Sequence, residues 1–108
     1  MSCKVLLTEF AEEDMLSIRD YFLTSEQENR VERFYAQMAK VFQRIAMAPE
    51  AGSWPREFLD AGIQVYREVY SHPWRVFYQY ENDTAEILLI ADARRDLKTI
   101  LRERRLTK

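Results

Sequence analysis

The chain has 108 residues, 47% of them hydrophobic and 13% aromatic, which is enough to bury one modest core and too apolar for a disordered chain. Its net charge of −2 is unlike that of a strongly basic nucleic-acid binder. Cys3 is the only cysteine, which excludes an intrachain disulfide and a cysteine-based zinc cluster.

A single domain over residues 1–108 is expected, with no repeat and no low-complexity segment. The apolar runs are too short to span a bilayer, and Met1-Ser2-Cys3-Lys4 lacks the apolar stretch of a secretion signal. A reduced, cytoplasmic protein is the expectation. No pattern calls for a metal or an organic cofactor. His72, the only histidine, precedes Pro73 in a turn-like context and reads as structural.

Lys4–Leu7 is short, apolar and β-branched, and predicts a first strand. Thr8 has the chemistry of a helix N-cap, and Glu9, Glu12, Glu13 and Asp14 place negative charge where a helix start favours it. Ala11, Met15, Ile18 and Phe22 then recur on one helical face. Polar residues from Leu23 to Glu28 interrupt the pattern, and Ser25 reads as the cap of the next helix. That helix carries the stripe Val31, Phe34, Tyr35, Met38, Val41, Phe42 and Ile45, and Pro49 and Gly52 close it. The two form an antiparallel helical hairpin.

From Gly62 the period changes to two. Val65, Arg67 and Val69 alternate with Gln64, Tyr66, Glu68 and Tyr70. Past Ser71-His72-Pro73, Trp74, Val76, Tyr78 and Tyr80 share one face, with Arg75, Phe77 and Gln79 on the other. Asn82-Asp83 signals a tight turn. Ala85–Ala91 is apolar on both faces, as a central, doubly covered strand must be. Helical spacing returns over Arg94–Leu106: Leu97, Ile100 and Leu101 face the body, and Arg94, Lys98, Arg102 and Arg105 line one solvent face.

The fold class is therefore α+β, in the order β-α-α-β-β-β-α. A helical hairpin packs on one face of a four-stranded, mostly antiparallel sheet, and a basic C-terminal helix lies at the sheet's edge or end. Residues 94–108 hold seven basic residues against two acids, a local balance of +5 in a chain of −2, which leaves −7 for the remainder. Such a gradient builds a surface that meets something negative.

Val5-Leu6-Leu7-Thr8 followed by Ala11-Glu12-Glu13-Asp14, the pair Tyr66-Arg67, the run Trp74-Arg75-Val76-Phe77-Tyr78, and Ile87 to Leu97 with its Ala93-Arg94-Arg95-Asp96-Leu97 close form an ordered set. That set resembles the RelE/ParE superfamily of toxins from bacterial type II toxin–antitoxin systems, over nearly the whole chain. The Arg94-Arg95-Asp96 ending is closest to the ParE-like branch, although many ParE-like sequences have His where this chain has Asp92. The resemblance implies a cytoplasmic toxin neutralised by a cognate antitoxin in a hetero-oligomer. For the ParE-like branch it implies inhibition of DNA gyrase without a nuclease site. For the RelE-like branch it implies ribosome-dependent cleavage of messenger RNA. A non-toxic binding module of the same fold is a third possibility.

Attack by a ribose 2′-hydroxyl needs a proton acceptor, a proton donor and positive charge at the phosphate. Arg67 and Arg75 could supply charge, and Glu68 or Tyr78 could move protons. The last strand ends in Asp92-Ala93-Arg94-Arg95, and arginine stays protonated. A contact inhibitor needs only an anchoring surface, for which Arg94, Arg95, Lys98, Arg102 and Arg105 are the candidates. Direct nucleic-acid binding and membrane attachment are not expected. Arg67 and Arg75 have a plainer alternative as cross-strand partners of Glu68, Glu81 or Glu86.

Overall fold

A computed structural model describes residues 2–59 and 62–106. The elements are β1 (Lys4–Leu7), α1 (Glu9–Thr24), α2 (Asn29–Met47), α3 (Arg56–Leu59), β2 (Tyr66–Ser71), β3 (Trp74–Glu81), β4 (Thr84–Asp92) and α4 (Lys98–Glu103). The sheet order is β1-β4-β3-β2, with β1 parallel to β4 and the other pairs antiparallel. This is the expected α+β order, with one added turn of helix, α3. β4 lies between β1 and β3, as its two-sided apolarity requires.

Local chemistry accounts for most boundaries. Thr8 caps α1 by accepting from the Ala11 N–H at 3.3 Å, and its hydroxyl donates to the Ile87 carbonyl at 2.7 Å, fastening the helix start to β4. Ser25 is the C-cap of α1 and not an N-cap of α2, whose first turn has no side-chain cap. Asn82 and Asp83 both have positive φ, 53° and 60°, as a two-residue hairpin turn between right-twisted strands demands. Gly62–Val65 precedes β2 and is not part of it.

Two cores lie on opposite faces of the sheet. On the first, Ala11, Met15 and Phe22 of α1 and Phe34, Met38, Val41 and Ile45 of α2 pack on Val69, Trp74, Val76, Tyr78, Ala85, Ile87 and Ile90. Phe22, Phe34 and Trp74 meet edge to face, with Phe34 and Trp74 centroids 5.0 Å apart. On the second, Phe58, Phe77, Leu89, Ala91, Leu97 and Leu101 form a smaller cluster. The last helix lies at the open outer edge of β4, where Arg104 meets the Leu88 carbonyl, and Leu97 and Leu101, both about 1% exposed or less, turn it onto the second face. It is also shorter than its spacing predicts, because Arg94–Leu97 form turns and Arg105, at φ 60°, ends it.

One irregularity in β4 decides which side chains reach which core. The register steps from Phe77↔Leu89 to Tyr78↔Ile87, so Leu88 opposes no residue of β3. This bulge inverts the alternation. Ile87 and Ile90, three apart, both face the first core, and Leu89 and Ala91 face the second.

Gly52 sits where the chain passes the Tyr78 hydroxyl, and a Cβ there would collide with that oxygen. Tyr78 is fully buried, its O–H donates to the Pro49 carbonyl at 2.7 Å, and burial pushes its phenol pKa up. Gly52→Ala should therefore displace the ring or break this bond and destabilise the protein by about 1–3 kcal/mol. Urea unfolding of the variant checks this, and an unchanged midpoint would refute it.

Candidate functional site

The four residues considered for nuclease chemistry are not brought into one open site. Arg67 stands opposite Tyr78 in the β2–β3 register, on the first face. Its guanidinium lies 4.1 Å from the Trp54 ring centroid and donates to the carbonyls of Glu50 and Gly52 at 2.8 and 3.1 Å. Glu68 and Arg75 lie on the second face. Glu68, opposite Phe77, is the diagonal neighbour of Arg75, which stands opposite Tyr70.

Arg75 is 4% exposed and carries two carboxylates. Its Nε and Nη2 donate to Glu68 at 2.6 and 2.9 Å, and its Nη1 and Nη2 donate to Glu57 at 2.6 and 2.8 Å. The side chains of Glu57 and Glu68 are 11% and 12% exposed. Arg56 Nε also lies 3.9 Å from Glu57, so two cations and two anions balance here and leave no net positive charge for a phosphate. The Arg75 hydrogen bond holds the Glu57 carboxyl below its ordinary range, against the opposing effect of burial. Glu68 is a partner the sequence offered. Glu57 is one it did not. It arrives on α3, whose Phe58 is buried against Tyr66 and Phe77, and no periodicity marks a single turn of helix.

The cationic end is arranged differently. Arg94 and Arg95 lie in the turn after β4, Lys98 and Arg102 on α4, and Arg105 beyond it, so they do not form one helical stripe. All five are exposed. Arg94 folds back on Asp92, donating from Nε and Nη2 at 3.0 and 2.9 Å, and this pair lowers the Asp92 pKa. Among the described residues, Arg95, Lys98, Arg102 and Arg105 make no ion pair. Arg104 turns the other way, to Asp14 on α1. Lys108 lies outside the described residues.

Between α1 and α4 runs a groove of about 650 Å³, lined by Ile18, Tyr21, Trp74, Ile90, Ile100 and Arg95 among others. A second apolar hollow of about 440 Å³ lies against the helical hairpin, lined by Leu7, Glu12, Met15, Leu16 and Tyr35. Leu16 and Tyr35, two of its lining residues, are left 45% and 36% exposed. Among the described residues, no group of three His, Cys, Asp or Glu is placed to hold a metal ion, and no helix is long and apolar enough to cross a membrane.

The family model described as "ParE toxin of type II toxin-antitoxin system, parDE" matches residues 5–97. No curated protein gives a significant match. A solved structure titled "Chromosomal ParDE TA system from P. aeruginosa" is similar in fold, with a TM-score of 0.67 at 12% identity, covering 84% of this chain and 96% of that one. The chain belongs to the ParE toxin family of type II toxin–antitoxin systems.

Removing the Arg75 cation leaves two largely buried carboxylates with only the exposed Arg56, 3.9 Å from Glu57, as an ion-pair partner. Arg75→Ala should destabilise the protein by about 3–5 kcal/mol at neutral pH. Glu57 has a lowered folded pKa, so its stabilisation is complete above the ordinary value of 4.5 and is lost as pH falls through the lower folded value. The deficit of the variant should accordingly shrink in acid, since the Glu57 carboxyl can then be buried neutral. Urea titrations at about pH 7 and roughly pH 3.5 measure this, and an equal deficit at both would refute it.

Proposed function

We propose that this ParE-family chain is a toxin that acts by binding and inhibiting DNA gyrase, and that a cognate antitoxin neutralises it. The observation that carries the reading is a contrast between two sets of arginines. Arg75, one of the two sheet arginines considered for phosphate chemistry, is buried and held by Glu57 and Glu68, whereas Arg95, Lys98, Arg102 and Arg105 are exposed and make no ion pair among the described residues. Exposed cations on an otherwise acidic body steer and anchor a complementary partner, and Arg is enriched among residues that dominate interface energies.

Messenger RNA cleavage is the alternative. It would have to proceed with Tyr78 fully buried, Arg67 stacked on Trp54, and Glu68 engaged by Arg75. None of these groups is poised to take or give a proton. The protein is therefore read as a stoichiometric inhibitor and not as an enzyme.

The antitoxin reading rests on the exposed apolar side chains along the helical hairpin. Leu16 and Tyr35, 45% and 36% exposed, line one apolar hollow together with Leu7 and Met15, which makes them a patch and not scattered single residues. An amphipathic helix of the partner would cover them, giving a hetero-oligomer. The isolated chain should self-associate or precipitate on concentration and become monodisperse with its antitoxin. Sedimentation with and without the antitoxin tests this, and a well-behaved monomer of the chain alone at high concentration would count against it.

Induction in bacteria without the antitoxin separates the functional classes. Growth arrest with intact transcripts and failing supercoiling supports gyrase inhibition, cleaved transcripts support the nuclease, and unaffected growth supports an inert module. Changing Arg95, Lys98 and Arg102 to Glu should abolish inhibition of supercoiling by the purified toxin. The melting temperature should hold to within a few degrees, because exposed charges contribute little to stability. Full inhibition by that variant would remove this surface from the mechanism.

A further inference from the structure

We propose that Asp14 and Arg104 are positioning residues that fix the cationic C-terminal surface for its target; this rests on the proposed function for its activity arm only. The inference starts from an unsatisfied strand edge. β1 pairs with β4 only as far as Leu7↔Ile87, yet β4 runs on to Asp92. Past Ile87 its outer edge has no strand beside it, and its backbone groups need other partners. Two side chains from opposite ends of the sequence supply them. Asp14 Oδ2 accepts from the Ile90 N–H at 2.9 Å, and Arg104 Nη1 donates to the Leu88 carbonyl at 2.9 Å. The two side chains also join each other, Nη2 to Oδ1 at 2.6 Å and Nη1 to Oδ2 at 2.9 Å. Both are 13% exposed, and the guanidinium lies 5.0 Å from the Phe10 ring centroid.

α4 needs such a fastening. At six residues it is too short to hold its own shape, and it has no side-chain N-cap. Leu97 and Leu101 set its depth in the second core, but apolar contacts are non-directional. Arg104, the C-cap residue, is the one side chain of the segment that ties it to α1 and β4 through directed bonds, among the described residues. Arg95, Lys98, Arg102 and Arg105 flank that tie. Holding their backbone still before contact removes an entropy cost from binding. The geometry also requires arginine. A planar fork satisfies two carboxylate oxygens and a carbonyl together, whereas a lysine ammonium has the charge without the fork.

Arg104→Lys therefore separates position from charge, and Asp14→Asn keeps an acceptor for Ile90 while removing the ion pair. The test compares wild type, Arg104→Lys and Asp14→Asn by amide hydrogen exchange and by gyrase supercoiling inhibition. In Arg104→Lys, exchange at residues 98–106 should accelerate while the β3–β4 amides keep their protection, and the concentration for half-inhibition should rise roughly tenfold, with Asp14→Asn intermediate. Unchanged exchange at residues 98–106 would overturn the inference, as would equal acceleration across the whole sheet, which marks a general stability element. Undiminished inhibition by a variant with a loosened segment would also overturn it. If the wild-type protein fails to inhibit gyrase at all, the proposed target falls, and the exchange comparison alone decides whether the pair positions this segment.

Discussion

β4 is the strand on which the remaining architecture depends. It is apolar on both faces, so it must be covered twice, and a chain this short has only two covers to offer. The helical hairpin provides one. The turn of α3, the segment around Leu97 and α4 provide the other, which is thinner and relies on a few large side chains such as Phe58, Phe77 and Leu101. The Leu88 bulge makes this arrangement possible. Without it, Ile87 and Leu89 would share a face and the two cores would compete for the same residues.

The thin second cover explains why the charged groups there are so tightly tied. Phe58 is one fully buried anchor on a four-residue helix, and on its own it fixes α3 only loosely. The Glu57–Arg75–Glu68 bridge fixes the orientation of α3 against β2 and β3. A buried ion pair contributes modestly to net stability, since desolvation offsets most of the attraction, but breaking it is costly. The arrangement therefore buys a defined loop position at the expense of chemistry: an arginine held by two carboxylates has no capacity left for a phosphate.

Much of this was legible in the sequence, because it follows from periodicity. The order of elements, the stripe of α2, the two faces of β3 and the centrality of β4 rest on repeats of 3.6 or 2 residues that burial imposes directly. The Thr8 cap and the Asn82-Asp83 turn were legible because each has a local mechanism. Features joined only in three dimensions were not. Glu57 meets Arg75 across 18 positions and Asp14 meets Arg104 across 90, and neither spacing leaves a local trace. The bulge was hidden by the very feature that marks β4 as central, since a run of four apolar residues, Ile87 to Ile90, has no alternation in which a slipped register could show. The last helix was overextended for a similar reason. Arg94, Lys98, Arg102 and Arg105 have helical spacing, yet the backbone turns sharply on Asp92 and Asp96 before α4 begins.

The basic segment is thus divided by its acidic neighbours into two groups with different work. Arg94 and Arg104 are paired within the chain, one in an exposed local pair with Asp92 and the other in a largely buried pair with Asp14 that ties the segment to α1. The four cations left over project from a segment that Arg104 ties to α1 and β4. On a body that is otherwise acidic, that tie gives the charge a direction as well as a sign. A diffuse positive tail would bind many polyanions weakly, nucleic acid included. On the proposed reading, a fixed cluster of four on a chain of net acidic charge favours a partner whose own charges match its spacing. Specificity of this kind comes from repulsion of the wrong partner as much as from attraction to the right one.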